Sequence, residues 1–325
     1  MTTPWNELHS LILYIVFGYT LLLPLVLVIL KIFRITSPLQ RLRLYLLAFL
    51  TPPISFILYH TLLAKRCEAG LPPVWAEGTF HLLCIISEGM LRAVLPLAGL
   101  LLFLGILKAA AAVLMIRRLE REDITVKANA ADLVADTLQK LCSDLQITPP
   151  RVIFSRKNGF AAFTTGLYKP VLVINSTIVN NLDGQELKAL LSHELIHIKH
   201  RDTVKSWLLH LVRDLTFINP LSNILLKHYL LEKEALTDQK AADLVQQTST
   251  TYAAALIKIW RSVLNHRSPA FGLTSAFSGG GNGLEHRVGA LLRNRQDEGK
   301  LPSLITILLG AFLFVTTLLF LGLVC

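Results

Sequence analysis

Charge is what this sequence has least of. Asp, Glu, Lys and Arg make up 17% of its 325 residues, against about 25% in an ordinary soluble chain, too few to cover a water-facing surface of this size. Cysteine is scarce as well. Four in the whole chain make no disulfide framework, which excludes a small secreted scaffold. No internal repeat is visible. Disorder is excluded by what is abundant instead, 53% hydrophobic residues. Lys and Arg outnumber Asp and Glu by 32 to 22, for a net charge of +10. Much of that excess flanks apolar runs, so it argues for a membrane surface and not for direct nucleic-acid binding.

Four apolar runs account for the composition. Residues 11–30 carry no charge and have the roughly 20 residues needed to cross a hydrocarbon core. Residues 44–63 form a second run containing Pro52 and Pro53, which membrane helices tolerate. Residues 93–116 form a third with Lys108 as its one charge, and 303–324 a fourth near the end of the chain. The first run is expected to be retained as a span. Trp5, Asn6 and Glu7 precede it in place of a basic region, and Lys31 to Arg34 follow it in place of a cleavage site.

Lys31, Arg34, Arg41 and Arg43 follow the first run, Arg117, Arg118 and Arg121 follow the third, and Arg293, Arg295 and Lys300 precede the fourth. The positive-inside rule then predicts both termini outside and residues 117–302 in the cytoplasm. Cys67 and Cys84 fall on the outer side, as a disulfide or as two separate thiols. The expected fold is mainly α: a three-span region over 1–116, an α+β domain over 117–302 inserted between helices three and four, and a fourth transmembrane helix over 303–325.

Within that domain, residues 127–146 have helical apolar spacing and 151–155 and 171–174 read as short strands. Residues 184–200 return to a helix, with Asp183 as N-cap and Glu186 three residues on in a capping-box arrangement. Residues 203–231 are apolar enough to be weighed as a fifth span. Lys205, His210, Arg213 and Asp214 interrupt them, so a packed or surface-lying helix pair is expected. The run 278–283 is expected as flexible loop and 284–293 as a short amphipathic helix.

The chemistry concentrates on the 184–200 helix, which contains His193-Glu194-Leu195-Ile196-His197. Histidines four apart on a helix face one side and can share one tetrahedral zinc ion. The intervening Glu194 is placed to act as general base toward a metal-activated water. A third ligand is expected from Glu234. Glu232 is the rival, on a different helical face. Asp238, one turn beyond Glu234, can accept the free N–H of a metal-bound histidine. His200 is expected on the helix surface.

With these residues in view, the chain resembles the BlaR/MecR-type membrane zinc metallopeptidases. It is more distantly similar to the HtpX and CAAX-protease metallopeptidases that share HExxH…ExxxD. The resembling stretches are Gly159 to Phe163, Thr165-Gly166, Lys169 to Ile174, Glu186 to Asp202, Phe217 to Leu221 and Glu234 to Asp238. The resemblance implies one zinc ion per chain held by His193, His197 and Glu234, with Glu194 as base. It also implies a substrate-binding edge strand formed by Phe160, Ala161, Ala162, Phe163, Thr164, Thr165 and Gly166, although a plain core hairpin fits these residues equally. Arg287 resembles an Arg near the C-terminal end of related protease domains. With His286 it is placed to stabilise the oxyanion of a tetrahedral intermediate, although a basic residue this close to the membrane fits lipid headgroups as well.

Unlike the antibiotic receptors of that family, the chain is expected to lack a C-terminal penicillin-binding sensor domain. The expected activity is peptide-bond hydrolysis at the bacterial inner membrane. The protein or peptide substrate would be a cytoplasmic winged-helix transcriptional repressor or the protein itself. The alternatives are an HtpX-like quality-control protease and a non-catalytic zinc-stabilised receptor or scaffold.

Overall fold

A computed structural model describes residues 4–58, 128–156, 160–166, 169–265 and 280–293, with helical residues also at 99–100, 102–103, 105–107, 110, 114, 308, 310–312 and 315. The rest of the runs 93–116 and 303–324, residues 59–63 of the second run, Cys67 and Cys84 lie outside the described residues. The protein is mainly helical with one small sheet. It divides into two compact units, Met1–Lys108 with His210–Leu230 and Glu298–Cys325, and Ala109–Leu209 with Leu231–Asp297.

The first unit is built on α1 (Pro4–Ile32) and α2 (Pro38–Leu58). Within α1, Tyr14–Ile32 has a mean hydropathy of 2.4. Among the described residues α1 is the one helix long and apolar enough to cross a membrane. Helix α2 starts six residues before the second apolar run, because Pro38 supplies the preset φ favoured at a first helical position.

The two helices approach closely where Gly18 meets Pro52. A Cβ on Gly18 would lie 2.9 Å from the proline's Cβ and Cγ, so a larger residue there must displace the ring. The Tyr19 hydroxyl donates to the Phe49 carbonyl at 2.8 Å, which satisfies a polar group that is fully buried. Residues 210–230 belong to this unit and not to the unit that holds most of the expected cytoplasmic domain.

The second unit contains a three-stranded sheet in the order β1-β3-β2, formed by β1 (Arg151–Ser155), β2 (Ala162–Thr165) and β3 (Val171–Asn175). Strand β1 runs parallel to β3 with Arg151 beside Val171, and β2 runs antiparallel to β3 with Ala162 beside Ile174. Strand β2 is therefore an edge strand. The alternation of a β-strand divides β3 between two faces. Leu172 and Ile174 join one apolar cluster with Val134, Leu141, Leu190 and Leu195, while Val173 joins Ile153 and Phe160 in another.

Helix α3 (Ala128–Leu145) precedes the sheet and the short α4 (Ser176–Val179) follows it. Helix α5 (Gly184–His200) begins with the expected capping box. The Asp183 carboxylate accepts from the Glu186 backbone N–H at 2.9 Å, and Glu186 accepts in return from that of Asp183 at 3.0 Å. Helices α6 (Asp202–Leu215) and α7 (Leu221–Leu244) follow, then α8 (Ser249–Asn265) and α9 (Gly280–Leu292). Helix α9 starts at Gly280, inside the stretch expected as loop. Val288 and Leu291 pack on the α8 core and hold it.

Candidate metal centre

Helix α5 is buried along most of its length, and the burial brings its two motif histidines together. Four residues of helix separate their backbones by about 6 Å. The side chains nevertheless converge until the two Nε2 atoms are 3.1 Å apart. Each Nδ1 faces a carboxylate. His193 Nδ1 is 2.9 Å from Asp238 Oδ1, and His197 Nδ1 is 2.8 Å from Asp202 Oδ2. A neutral imidazole that donates from Nδ1 presents a lone pair at Nε2. Both lone pairs therefore point at one spot.

Glu234 Oε2 completes the cluster from α7, 3.3 Å from His193 Nε2 and 3.7 Å from His197 Nε2. It is buried with no hydrogen-bond partner. Three acceptors facing one another in a buried site repel unless a cation or protons lie between them.

The three residues fit a metal. A tetrahedral centre with ligands about 2.0–2.1 Å away has ligand–ligand edges of about 3.3 Å, and the observed separations bracket that value. The charges agree. Glu194, Asp202, Glu234 and Asp238 are four carboxylates in the site, while Arg287 and Lys233 are the two cations buried or nearly buried against them. A cation at the three acceptors offsets the remaining negative charge. Lys205, 3.9 Å from Asp202, is more than half exposed and screened by solvent, and Lys240, which also acts on Asp202, is only half-buried.

Lys233 lies 3.4 Å from Glu234 Oε1 and donates to Ser206 Oγ at 3.4 Å, leaving Oε2 to face the histidines. In the absence of an ion, protons take its place. Burial disfavours a charged His197, but the Glu234 charge and the Asp202 hydrogen bond outweigh it and hold the imidazole up at about 9. His193 is raised against burial by Asp238. Glu234 is held well below the usual carboxylate range despite burial, by the charges of His197 and Lys233.

Glu194 is 1% exposed, beside this cluster. Its Oε2 accepts from the Thr164 hydroxyl of edge strand β2 at 3.0 Å, while its Oε1 is buried with no hydrogen-bond partner. One oxygen is thus held by the sheet and the other left to act.

The remaining expected residues take distinct positions. Asp238 is fully buried and grips Arg287, with Nε donating to Oδ2 at 2.6 Å and Nη2 to Oδ1 at 2.8 Å. Arg287 is thereby aimed at the partner of a histidine. His286 Nε2 lies 3.4 Å from Glu232 Oε2, so this pair meets away from the three acceptors. His200 pairs with Lys240 Nζ at 2.9 Å. Of the expected edge strand, Ala162 to Thr165 are strand, flanked by Phe160, Ala161 and Gly166.

Three contributors were not singled out in the sequence. Asp202 reaches His197 because Arg201 takes a left-handed conformation, φ 52° and ψ 42°, and turns the chain straight into α6. Lys233 adjoins Glu234, so adjacency was the available signal. Tyr252, 2% exposed, lines a small cavity with His193 and Arg287, and nothing in its local sequence announces it.

Comparison with known proteins agrees with this chemistry. The chain is 33% identical over 79 residues to "Protease HtpX homolog 2" of Methanosarcina acetivorans and 32% identical over 79 residues to its namesake in Methanosarcina mazei. These matches cover 24% of this chain and 27% of each relative, so the chain spans about a quarter of the length of the curated relatives it matches. The profile of the family described as BlaR1 peptidase M56 matches residues 87–291, a stretch that takes in the sheet, both motif histidines, Glu234, Asp238 and Arg287. With that much of the molecule and every contributor to its acceptor cluster inside the match, the chain belongs to the BlaR1 peptidase M56 family of membrane metallopeptidases.

Proposed function

We propose that this protein is a zinc endopeptidase of the bacterial inner membrane that relays a signal by cutting a cytoplasmic protein. The observation that carries this reading is the convergence of two histidine Nε2 atoms and Glu234 Oε2 beside a buried Glu194 with one unpartnered oxygen. Two nitrogens and a carboxylate oxygen are the donor set of zinc hydrolases with an open fourth position. When bound, the ion supplies Lewis acidity that polarises a carbonyl and acidifies water.

The chain's own residues do the rest. Among the described residues β2 pairs only with β3, and its other edge offers backbone groups to an extended peptide, which registers the scissile bond beside Glu194. Glu194 Oε1 takes a proton from the attacking water and passes it to the leaving amine. Thr164 holds Oε2 and fixes the rotamer. Arg287 acts through Asp238, keeping His193 in the tautomer that presents Nε2.

The substrate we favour is a winged-helix transcriptional repressor or the protein itself, with the lipid bilayer as its other partner and four spans placing both termini outside. The similarity to the HtpX homologues favours a second reading, quality control of damaged membrane proteins.

Glu194→Ala in the full chain, reconstituted in liposomes with zinc, tests catalysis. The variant should bind zinc as wild type does and lose cleavage of itself and of a candidate repressor. Cleavage at the wild-type rate overturns the catalytic reading. Zinc binding with no cleavage by either form favours the non-catalytic scaffold.

A further inference from the structure

We infer that residues His210–Leu230 form a helical hairpin inserted into the hydrocarbon of the bilayer, so that lipid is the partner of its outer face. The inference rests on the membrane reading of α1 made above, and it replaces a surface-lying helix pair with an embedded one.

The hairpin consists of the end of α6, the turn 216–220 and the start of α7, all in one compact unit with α1 and α2. Its tip is pinned to α1. Asn219 Nδ2 donates to the Val16 carbonyl at 2.9 Å and to the Ile15 carbonyl at 3.3 Å. Both lie at the start of the apolar stretch Tyr14–Ile32, at the opposite end from its basic flank Lys31. Fifteen residues of helix separate Val16 from Lys31, about 22 Å. A hydrocarbon core is about 30 Å thick, so the tip lies beyond its middle. A helix pair resting on the surface would meet α1 near Lys31 instead. Along the hairpin's length, Tyr45 of α2 stacks on His228 with ring centroids 5.0 Å apart.

The turn is also built for a place without water, where a polar group must find its partner within the protein. Asn219 Oδ1 accepts from the Leu221 N–H at 2.9 Å, Ser222 Oγ donates to the Asn219 carbonyl at 2.8 Å, and Thr216 Oγ1 donates to the Val212 carbonyl at 3.0 Å. Asn219, Thr216 and Ser222 are all buried. Among the outward-facing side chains, Leu215 and Ile224 are large and apolar, 46% and 40% exposed, while Asn223 and Lys227 are the polar ones.

Two of the charges that interrupt this segment, Arg213 and Asp214, and the exposed Lys227 have places compatible with insertion. Arg213 Nε donates to Asp214 Oδ1 at 2.9 Å, a neutral pair. Lys227 stands eight residues from Asn219, about 12 Å back toward the entry side, and its stem can carry the ammonium to the headgroups.

The test is spin-label accessibility in the full chain in liposomes. The four native cysteines are replaced by alanine and single cysteines introduced as Leu215→Cys, Ile224→Cys, Val28→Cys on α1 and Lys258→Cys on α8. Collision with oxygen relative to a water-soluble nickel chelate should be several-fold higher at 215 and 224 than at 258, and close to that at 28. A reading like position 258 at either hairpin site overturns the inference. Position 28 reading like 258 would instead overturn the membrane reading of α1. Zinc binding by each labelled protein verifies that it is folded.

Discussion

Arg287 grips both carboxylate oxygens of Asp238, and Asp238 in turn meets Nδ1 of His193. A guanidinium on α9 thus bears, through Asp238, on a histidine of the candidate metal centre. Asp238 is fully buried, and removing one partner of a buried pair leaves an uncompensated charge that costs about 3–5 kcal/mol. Arg287→Met should therefore lower unfolding stability by about that amount. It should also weaken zinc binding by about ten- to a hundredfold, the usual consequence of losing an outer partner of a ligand. Calorimetric titration with zinc checks the second effect. If Arg287→Met binds zinc as tightly as wild type but loses turnover, the guanidinium serves the transition state directly and the relay through Asp238 is wrong.

Thr164 bears in a comparable way on Glu194, the proposed general base. A hydrogen bond to a charged group contributes about 1.5–3 kcal/mol. Thr164→Val, nearly the same shape without the hydroxyl, should reduce kcat by about ten- to a hundredfold with little change in KM or in zinc affinity. Thr164→Ser should restore most of the loss. Equal defects in the two variants would mean that the methyl packing, and not the hydroxyl, is what matters.

How much of this could be read beforehand depended on whether the relation was local. The capping box of α5, the shared face of His193 and His197 and the spacing of Glu234 and Asp238 all follow from helical periodicity. The partnership of His197 with Asp202 spans five residues but needs a left-handed turn at Arg201, a non-glycine residue in a conformation that propensity argues against. Arg287 stands out through the family resemblance, but its direction depends on how α9 packs, 49 residues away in sequence from Asp238. In the sequence, residues 210–230 show only the charges they contain. That Arg213 and Asp214 pair, and that Asn219 reaches α1, are facts of tertiary structure that composition does not carry.

Metal binding should depend steeply on pH. Without an ion His197 is held up at about 9 by Glu234 and Asp202, and His193 is raised as well. Below these values protons occupy the nitrogens that the ion needs, so binding zinc must release them. A raised value means that the competing proton is fully present at low pH and lost as pH climbs through about 9. Zinc affinity should accordingly rise from pH 6 to pH 8, by about tenfold per unit for each proton displaced. Titrations in buffers of different ionisation heat count the protons released. An affinity independent of pH over that range would show that the histidines are already deprotonated.

The turn after α5 offers a test in which stability should increase. Arg201 sits at φ 52°, ψ 42°, a region that costs a side-chain-bearing residue about 1–2 kcal/mol and glycine almost nothing. Glycine also makes the unfolded chain more flexible, which takes back about 0.4–1 kcal/mol. Arg201→Gly should thus stabilise the protein by about 0.5–1 kcal/mol while leaving the Asp202–His197 hydrogen bond and zinc affinity in place. Arg201→Val, which adds β-branching to the same strained backbone, should do the opposite and loosen zinc, because Asp202 is positioned by this turn. Thermal unfolding of the two variants, each with and without zinc, separates the outcomes. A Gly variant less stable than wild type would mean that the Arg201 side chain makes contacts worth more than the strain it carries.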